Sequence, residues 1–391
     1  MTLTKDFSLS AVIAGFITVL VGFTSAGVIV FQAAQALGAT PAEIGSWIWA
    51  LGAGMGLTSA LLSWRYKQPV VTAWSTPGAA LLIPAAVGVS MPEAIGAFLI
   101  CAVLITVCGF TGWFAQAMNR IPISLASAML AGVLLQFGLS VFVAMQTQFV
   151  MTFAMFCLYL VMRQVLPRYA VLSALVLGIL IAGAQGLLQL DTVQWQLAQP
   201  VFTAPQFSFS AVVGIALPLF IVTMASQNVP GVATIRAFGY DTPISPLIGW
   251  TGVATLVLAP FGGFAINLAA ITAAISMGRE AHEDPSKRYV AAIACGFFYI
   301  TVGIFGATVG SLFAALPQEL IVAIAGLALL GTIGNGLATA LAHEQNREAA
   351  LITFLVTASG LTLLGIGSAF WGLVAGLLAT VFTRVFVGAS S

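Results

Sequence analysis

Charged side chains are the scarcest feature of this chain: Asp, Glu, Lys and Arg make up 6% of its 391 residues, against 60% hydrophobic ones. A soluble domain carries roughly 25% charge, so a water-surrounded globule is excluded and an all-α polytopic membrane protein is implied. Twelve basic residues nearly balance eleven acidic ones, leaving a net charge of +1. With no basic patch, no nucleic-acid partner is expected. The four cysteines, Cys101, Cys108, Cys157 and Cys295, lie inside apolar runs. They have neither metal-ligand spacing nor a secretory framework, which makes them packing residues and removes any call for a metal or cofactor. The only two histidines, His282 and His343, fall in polar loops. Without a nucleophile motif or a glycine-rich phosphate loop beside them, a membrane enzyme is disfavoured. The amino terminus, MTLTKDFSLS, leads into an apolar run too long for a signal-peptide core, so no cleavage is expected.

What remains is apolar sequence in quantity, with a mean hydropathy of +1.10. Segments of about 20 residues, the length that spans a bilayer, fall near 9–37, 44–63, 93–118, 123–144, 148–166 and 169–188, with a broken segment at 69–88. After a polar stretch from Gln189 to Ser208 come 209–235, 246–261, 264–277, 289–314, 319–341, 348–365 and 367–387. Fourteen transmembrane segments alternating from a cytoplasmic amino terminus place Lys5, Arg65, Lys67, Arg120, Arg163, Arg168, Arg236, Arg279, Lys287, Arg288, Arg347 and Arg384 all inside. This is the expected pattern of cytoplasmic loops. It puts both termini in the cytoplasm, names an inner or plasma membrane, and speaks against a β-barrel.

The broken segment, QPVVTAWSTPGAALL from Gln68 to Leu82, cannot be one helix. Pro69 and Pro77 lack amide donors, Val70 to Thr72 favour extended backbone, and Ser75-Thr76-Pro77-Gly78 reads as a helix start with a hydroxyl cap. A short extended piece therefore runs into a half-helix. Inside a membrane its unpaired amides must face protein or a watery cavity, which makes Trp74, Ser75, Thr76 and Gly78 candidate binding residues. An ordinary surface loop before a helix is the alternative.

The chain also repeats itself. The pairs Ala36 and Ala237, Leu130 and Ile324, and Leu175 and Leu373 open similar stretches 201, 194 and 198 residues apart, in the same order. Seven segments per repeat is an odd number, so the halves must be inverted, the plan of a secondary transporter with its site at the repeat interface. The partner of the broken segment is then GGFAINLAAIT, from Gly262 to Thr272, with a short extended piece and Asn267 as a helix cap. Two half-helix starts would converge, their dipoles and free amides suiting an anion such as a carboxylate. Pro230 removes an amide owed to the Ser226 carbonyl, so the helix should bend or unwind at Ser226-Gln227-Asn228. These polar residues, with the counterpart region at Thr24 and Ser25, line a cavity or bond neighbouring helices, whereas Gln32 and Gln35 are expected to serve helix packing.

The motifs TAWSTPGAALL, LPLFIVTMASQNVPG and LVTASGLTLLGIGSAFWGL resemble the benzoate/proton symporter family over essentially the whole chain. That family is similar in fold to the uracil-type nucleobase permeases, with a 7+7 inverted repeat. The resemblance implies a core domain from residues 1–119 and 206–315 (segments 1–4 and 8–11) and a gate domain from 120–205 and 316–391 (segments 5–7 and 12–14). It further implies import of benzoate, an aromatic carboxylate, with protons, and a homodimer. Glycines 52, 56, 372 and 376 fit close helix approach. Trp74 and Phe264, beside the two half-helix starts, can clamp an aromatic ring.

One departure favours an anion. Nucleobase permeases carry carboxylates in segments 8 and 10, where this chain has Gln227, Asn228 and Asn267. A nucleobase would lose its acidic partners, and a carboxylate would be spared a repulsive one. A neutral-solute symporter and a sulfate-type anion exchanger remain as alternatives. None of the eleven carboxylates falls in mid-segment, yet intramembrane acids are the usual proton carriers. The proton is therefore expected to travel with the substrate, held beside its carboxylate by Gln227, Asn228 and Asn267.

Overall fold

A computed structural model describes residues 6–113, 122–166, 169–279, 281–361, 363 and 368–387. Lys5, Arg120, Arg168 and Glu280 lie outside the described residues, as do the side chains of Thr24, Ser25 and Arg384. The helices are α1 (Leu9–Ala36), α2 (Pro41–Tyr66), α3 (Thr76–Ala85), α4 (Met91–Phe110), α5 (Ile123–Ala144), α6 (Phe149–Val165) and α7 (Ala170–Ala184). The long composite helix α8 (Phe209–Arg236) follows. Then come α9 (Ile244–Leu258), α10 (Ile271–Met277), α11 (Tyr289–Ile304), α12 (Gly306–Ala314), α13 (Gln318–Leu341), α14 (Arg347–Ala358) and α15 (Ser368–Val387).

Among the described residues, each segment expected from hydropathy overlaps a helix, a strand and half-helix, or the α11–α12 pair. Among the described residues seven helices are long and apolar enough to cross a membrane; the count becomes eight if Leu9–Phe23 and Ala26–Ala36, bent by 42°, form one broken span.

Two strands interrupt the helices. Strand β1 (Thr72–Trp74) leads into α3, and β2 (Ile266–Leu268) precedes α10. They pair antiparallel with Ala73 opposite Asn267. Both are buried, so their outward edges need partners that water cannot supply. Ser59 Oγ accepts from the Thr72 amide at 2.9 Å and Ser63 Oγ from the Val70 amide at 2.9 Å, both from α2. On the other edge Thr255 Oγ1 of α9 accepts from Ile266 N at 3.0 Å, and Asn228 Oδ1 of α8 from Leu268 N at 3.0 Å.

Helix α2 packs along α11, α4 along α9, α5 along α13 and α14 along α15. The expected close glycine contacts are present. A Cβ on Gly52 would lie 2.7 Å from Gly303 Cα and from the Tyr299 carbonyl, and one on Gly56 would lie 2.6 Å from the Gly296 carbonyl. Gly372 and Gly376 meet Thr357 and Thr353 in the same way. The polar stretch after α7 runs as a strap over the helix ends. Its amides at Ala198, Thr203 and Gln206 donate to the carbonyls of Ile304, Pro260 and Pro92. Cys101, Cys108 and Cys295 are buried.

Gly52→Ala should part α2 from α11, because the obstacles are backbone atoms that cannot rotate away. The expected loss is about 1–3 kcal/mol, read as a lower melting temperature of the purified protein in detergent. Gly334→Ala, whose Cβ would meet nothing within 4 Å, should stay within about 0.5 kcal/mol of the wild type.

Candidate substrate site

The start of α3 is built as its sequence requires. Ser75 is the N-cap, its Oγ accepting from the Gly78 amide at 3.1 Å, and Pro77 occupies the first turn. Ser75 is fully buried, receives a second hydrogen bond from Thr223 Oγ1 at 3.0 Å, and sends its own amide to the Ala265 carbonyl at 3.1 Å. The acceptor sites of its hydroxyl and its backbone amide are thus engaged within the protein. Gly78 is buried too, with Leu219 of α8 only 2.5 Å from where a Cβ would stand. Pro77 has no amide and that of Gly78 is taken, so Thr76 presents the amide and hydroxyl of the half-helix start.

Thr76, Pro77 and Trp74 open onto a cavity of about 1170 Å³. Ser226 and Gln227 face it from α8, Val21, Gly22 and Ala26 from α1, and Ala270 and Thr272 from the start of α10. Both half-helix starts therefore reach one cavity. Its far wall is the face of α5 carrying Ala126, Ser127 and Leu130 with the face of α13 carrying Asn335 and Gly336. No Asp or Glu among the described residues lines it. The volume exceeds the roughly 300–1,000 Å³ of ordinary ligand pockets, so an open entrance is included.

Helix α8 unwinds where Pro230 demands it. Met224–Asn228 is a π-helical turn, in which the Val229 amide reaches back to the Met224 carbonyl. A second such turn, Val212–Ala216, precedes Pro218. Within the Met224–Asn228 turn, Ser226 donates to the Val222 carbonyl, while Gln227 turns to the cavity. Asn228 turns the opposite way, fully buried, with Nδ2 on Met224 Sδ and Oδ1 on the Leu268 amide.

Three sequence expectations are corrected here. Asn267 is no helix cap: it sits in β2, α10 starts from Ala270, and Asn267 Nδ2 donates back to the Ala265 carbonyl at 2.9 Å. That bond steadies Ala265, which holds φ +38°, a left-handed conformation rare for any residue but glycine. Asn267 Oδ1 is buried without a partner among the described residues. Phe264 does not clamp a ligand either. It is fully buried against Trp47 and Phe98, with ring centroids 5.7 Å away in both cases. Its neighbour Gly262 holds φ +93° with the Trp47 ring where a Cβ would be, so the aromatic cluster requires glycine there. The third correction concerns Gln32 and Gln35, which do not serve packing alone. Both line a separate cavity of about 630 Å³, with Leu81, Gln136 and Gln318.

The sequence reading missed Tyr299, which lines the larger cavity, and Phe23, which stands edge-on to Trp74 at 4.7 Å and 85°. An aromatic wall thus exists, built from Trp74 of β1 and Tyr299 of α11, with Phe23 of α1 packed edge-on against Trp74. The placement of Thr24 and Ser25 side chains lies outside the described residues.

A family model for the benzoate membrane transport protein matches residues 5–382. The chain belongs to the benzoate membrane transport protein family. It is 43% identical over 378 residues to the benzoate membrane transport protein of Acinetobacter baylyi, covering 97% of this chain and 96% of that one. It is 50% identical over 364 residues to the inner membrane protein YdcO of Escherichia coli, covering 93% of each. Among solved structures, SLC26A9 matches 98% of this chain and 67% of its own, with a TM-score of 0.65 at 12% identity. The transmembrane domain of the cyanobacterial bicarbonate transporter BicA matches 94% and 97%, with a TM-score of 0.58 at 13% identity. At such identities these two show the fold. This family member is a membrane transporter and not an enzyme.

Asn228→Ala would strand the buried Leu268 amide, at a cost of about 1–3 kcal/mol. Thermal unfolding in detergent should show this loss for Asn228→Ala and much less for Gln227→Ala, whose side chain faces the cavity.

Proposed function

We propose that this protein imports benzoate or a similar aromatic carboxylate across the inner membrane together with protons, by alternating access. The carrying observation is a cavity that joins a half-helix start, an amide side chain and an aromatic wall, with no acid among its described lining residues. Thr76 and Gln227 would donate hydrogen bonds to the carboxylate, aided by the positive end of the α3 dipole. Trp74 and Tyr299 would flank the ring. Family membership and the relative named for benzoate support the substrate class.

The remaining architecture follows from this reading. The chain crosses fourteen times as a 7+7 inverted repeat, with both termini in the cytoplasm. Residues 1–119 and 206–315 form the core domain, and 120–205 and 316–391 the gate. The packing of α2 on α11 and α4 on α9, set apart from α5 on α13 and α14 on α15, supports that division. A homodimer is consistent with the reading. Ser75, Gly78, Asn228, Phe264 and Asn267 serve as its supporting frame, with Ser226 adjoining the pocket.

Uptake of labelled benzoate into proteoliposomes tests the substrate. Unlabelled substituted benzoates should compete and uracil should not, whereas competition by uracil or sulfate in place of benzoates would transfer the site to a nucleobase symporter or an anion exchanger. Gln227→Glu should reduce uptake at least tenfold by placing a carboxylate against a carboxylate, and unaltered uptake would put Gln227 outside the pocket.

The proton is proposed to ride with the substrate, held as a neutral unit at Gln227 and Thr76. Uptake should then follow an imposed pH gradient and ignore a voltage alone. An Asp or Glu whose neutralisation abolished gradient-driven accumulation while benzoate counterflow survived would identify a dedicated carrier and end this account.

A further inference from the structure

The cavity extends well beyond the neighbourhood of Thr76 and Gln227, and its lining includes two arginines, Arg163 and Arg279. Arg163 stands in the last turn of α6, on the wall opposite the half-helices. Arg163 is exposed, and its guanidinium is held by neighbouring groups. Nη1 donates to Tyr159 Oη at 3.1 Å, the guanidinium carbon lies 5.8 Å from the Tyr159 ring centre, and Nη2 is 3.6 Å from where a Cβ on Gly331 would be. Gly331 of α13 therefore lies within ordinary contact distance of the guanidinium. Asn335 and Thr339, one and two turns further along the same face of α13, line the cavity as well.

A basic residue at this end of α6 is accounted for by topology alone. Topology does not account for a guanidinium laid over a glycine and beside a buried tyrosine, inside a cavity whose described lining carries no negative charge. We propose that Arg163 is a second carboxylate-binding residue, a charge-specific station between the membrane surface and the half-helix site. The proposal rests on the carboxylate reading above. A guanidinium offers paired donors matched to the two oxygens of a carboxylate, which an ammonium cannot reproduce. Because Arg163 is exposed to the cavity water, its attraction is open to screening by salt. An amide pocket around Gln227 would show little such dependence.

Equilibrium binding of radiolabelled benzoate to the purified full-length protein, at about 20 mM and about 500 mM NaCl, tests this. For the wild type, affinity should fall severalfold at high salt. Arg163→Gln should weaken binding roughly three- to tenfold at low salt and remove most of the salt dependence, with the melting temperature unchanged. Arg163→Lys should keep the salt dependence and recover only part of the affinity, a split that a merely structural role would not produce. Wild-type affinity and salt dependence in Arg163→Gln would overturn the proposal and leave the half-helix site standing. Failure of the wild type to bind benzoate at all would reject the carboxylate reading and this proposal with it. Should Arg163→Gln prove unstable, Gly331→Leu, which crowds the guanidinium from the opposite helix, must reproduce its loss of salt dependence or the proposal fails.

Discussion

A backbone inside a membrane must find every hydrogen bond within the protein, and the rest of this structure depends on how that demand is met at two short strands. Three residues of β1 pair with three of β2, and the outward edges are closed by side chains. Ser59 and Ser63 serve one edge, Thr255 and Asn228 the other. Hydroxyls of α2 support β1, and a hydroxyl of α9 supports β2. Only with those edges satisfied can the chain leave the helical conformation in the buried interior and aim two helix starts at one cavity.

That solution constrains neighbouring elements. The Ala265 carbonyl accepts from both the Ser75 amide and the Asn267 side chain, so a residue in a left-handed conformation ties the two half-helix units together. Helix α8 presents Asn228 to the strands and Gln227 to the cavity, a divergence that the roughly 100° between adjacent helical residues already allows. The π-helical turn at Met224–Asn228 lies just ahead of Pro230, whose missing amide breaks the regular ladder. One short run thus both supports the frame and faces the cavity.

What was legible in the sequence were features governed by local rules. Ser75 as cap, Pro77 in the first turn, the extended run before them and the break ahead of Pro230 each follow from residue type and spacing within about one helical turn. Asn267 and Phe264 were misread because their roles depend on tertiary partners. The side chain of Asn267 turns back to Ala265, and Phe264 is claimed by Trp47 and Phe98, which are distant in sequence. The hydroxyls of Ser59 and Thr255 were invisible as functional residues for the same reason, since a serine or threonine in an apolar helix looks alike whether it bonds its own turn or a strand. In hindsight, Ser59 and Ser63 at i and i+4 on one face of α2 formed a signal, but it required knowing that a strand lay alongside.

The two cavities lie at successive levels of the same helices, and this sets the scale of any motion that joins them. Pro77 of α3 lines the larger cavity and Leu81 the smaller; on α5, Leu130 lines the larger and Gly132 and Val133 the smaller. Four residues of helix span only about 6 Å, so a solute at the α3 start stands one turn from the second cavity. Buried apolar side chains, Leu81 and Leu130 among them, form the intervening layer. The strand pair, bonded on both edges, is poorly suited to flexing within that layer, because any distortion would expose unpaired amides. Movement that connects the cavities is therefore less costly as a shift of the half-helix units together against α5 and α13, where the contacts are apolar packing that can slide, than as a rearrangement of the site itself.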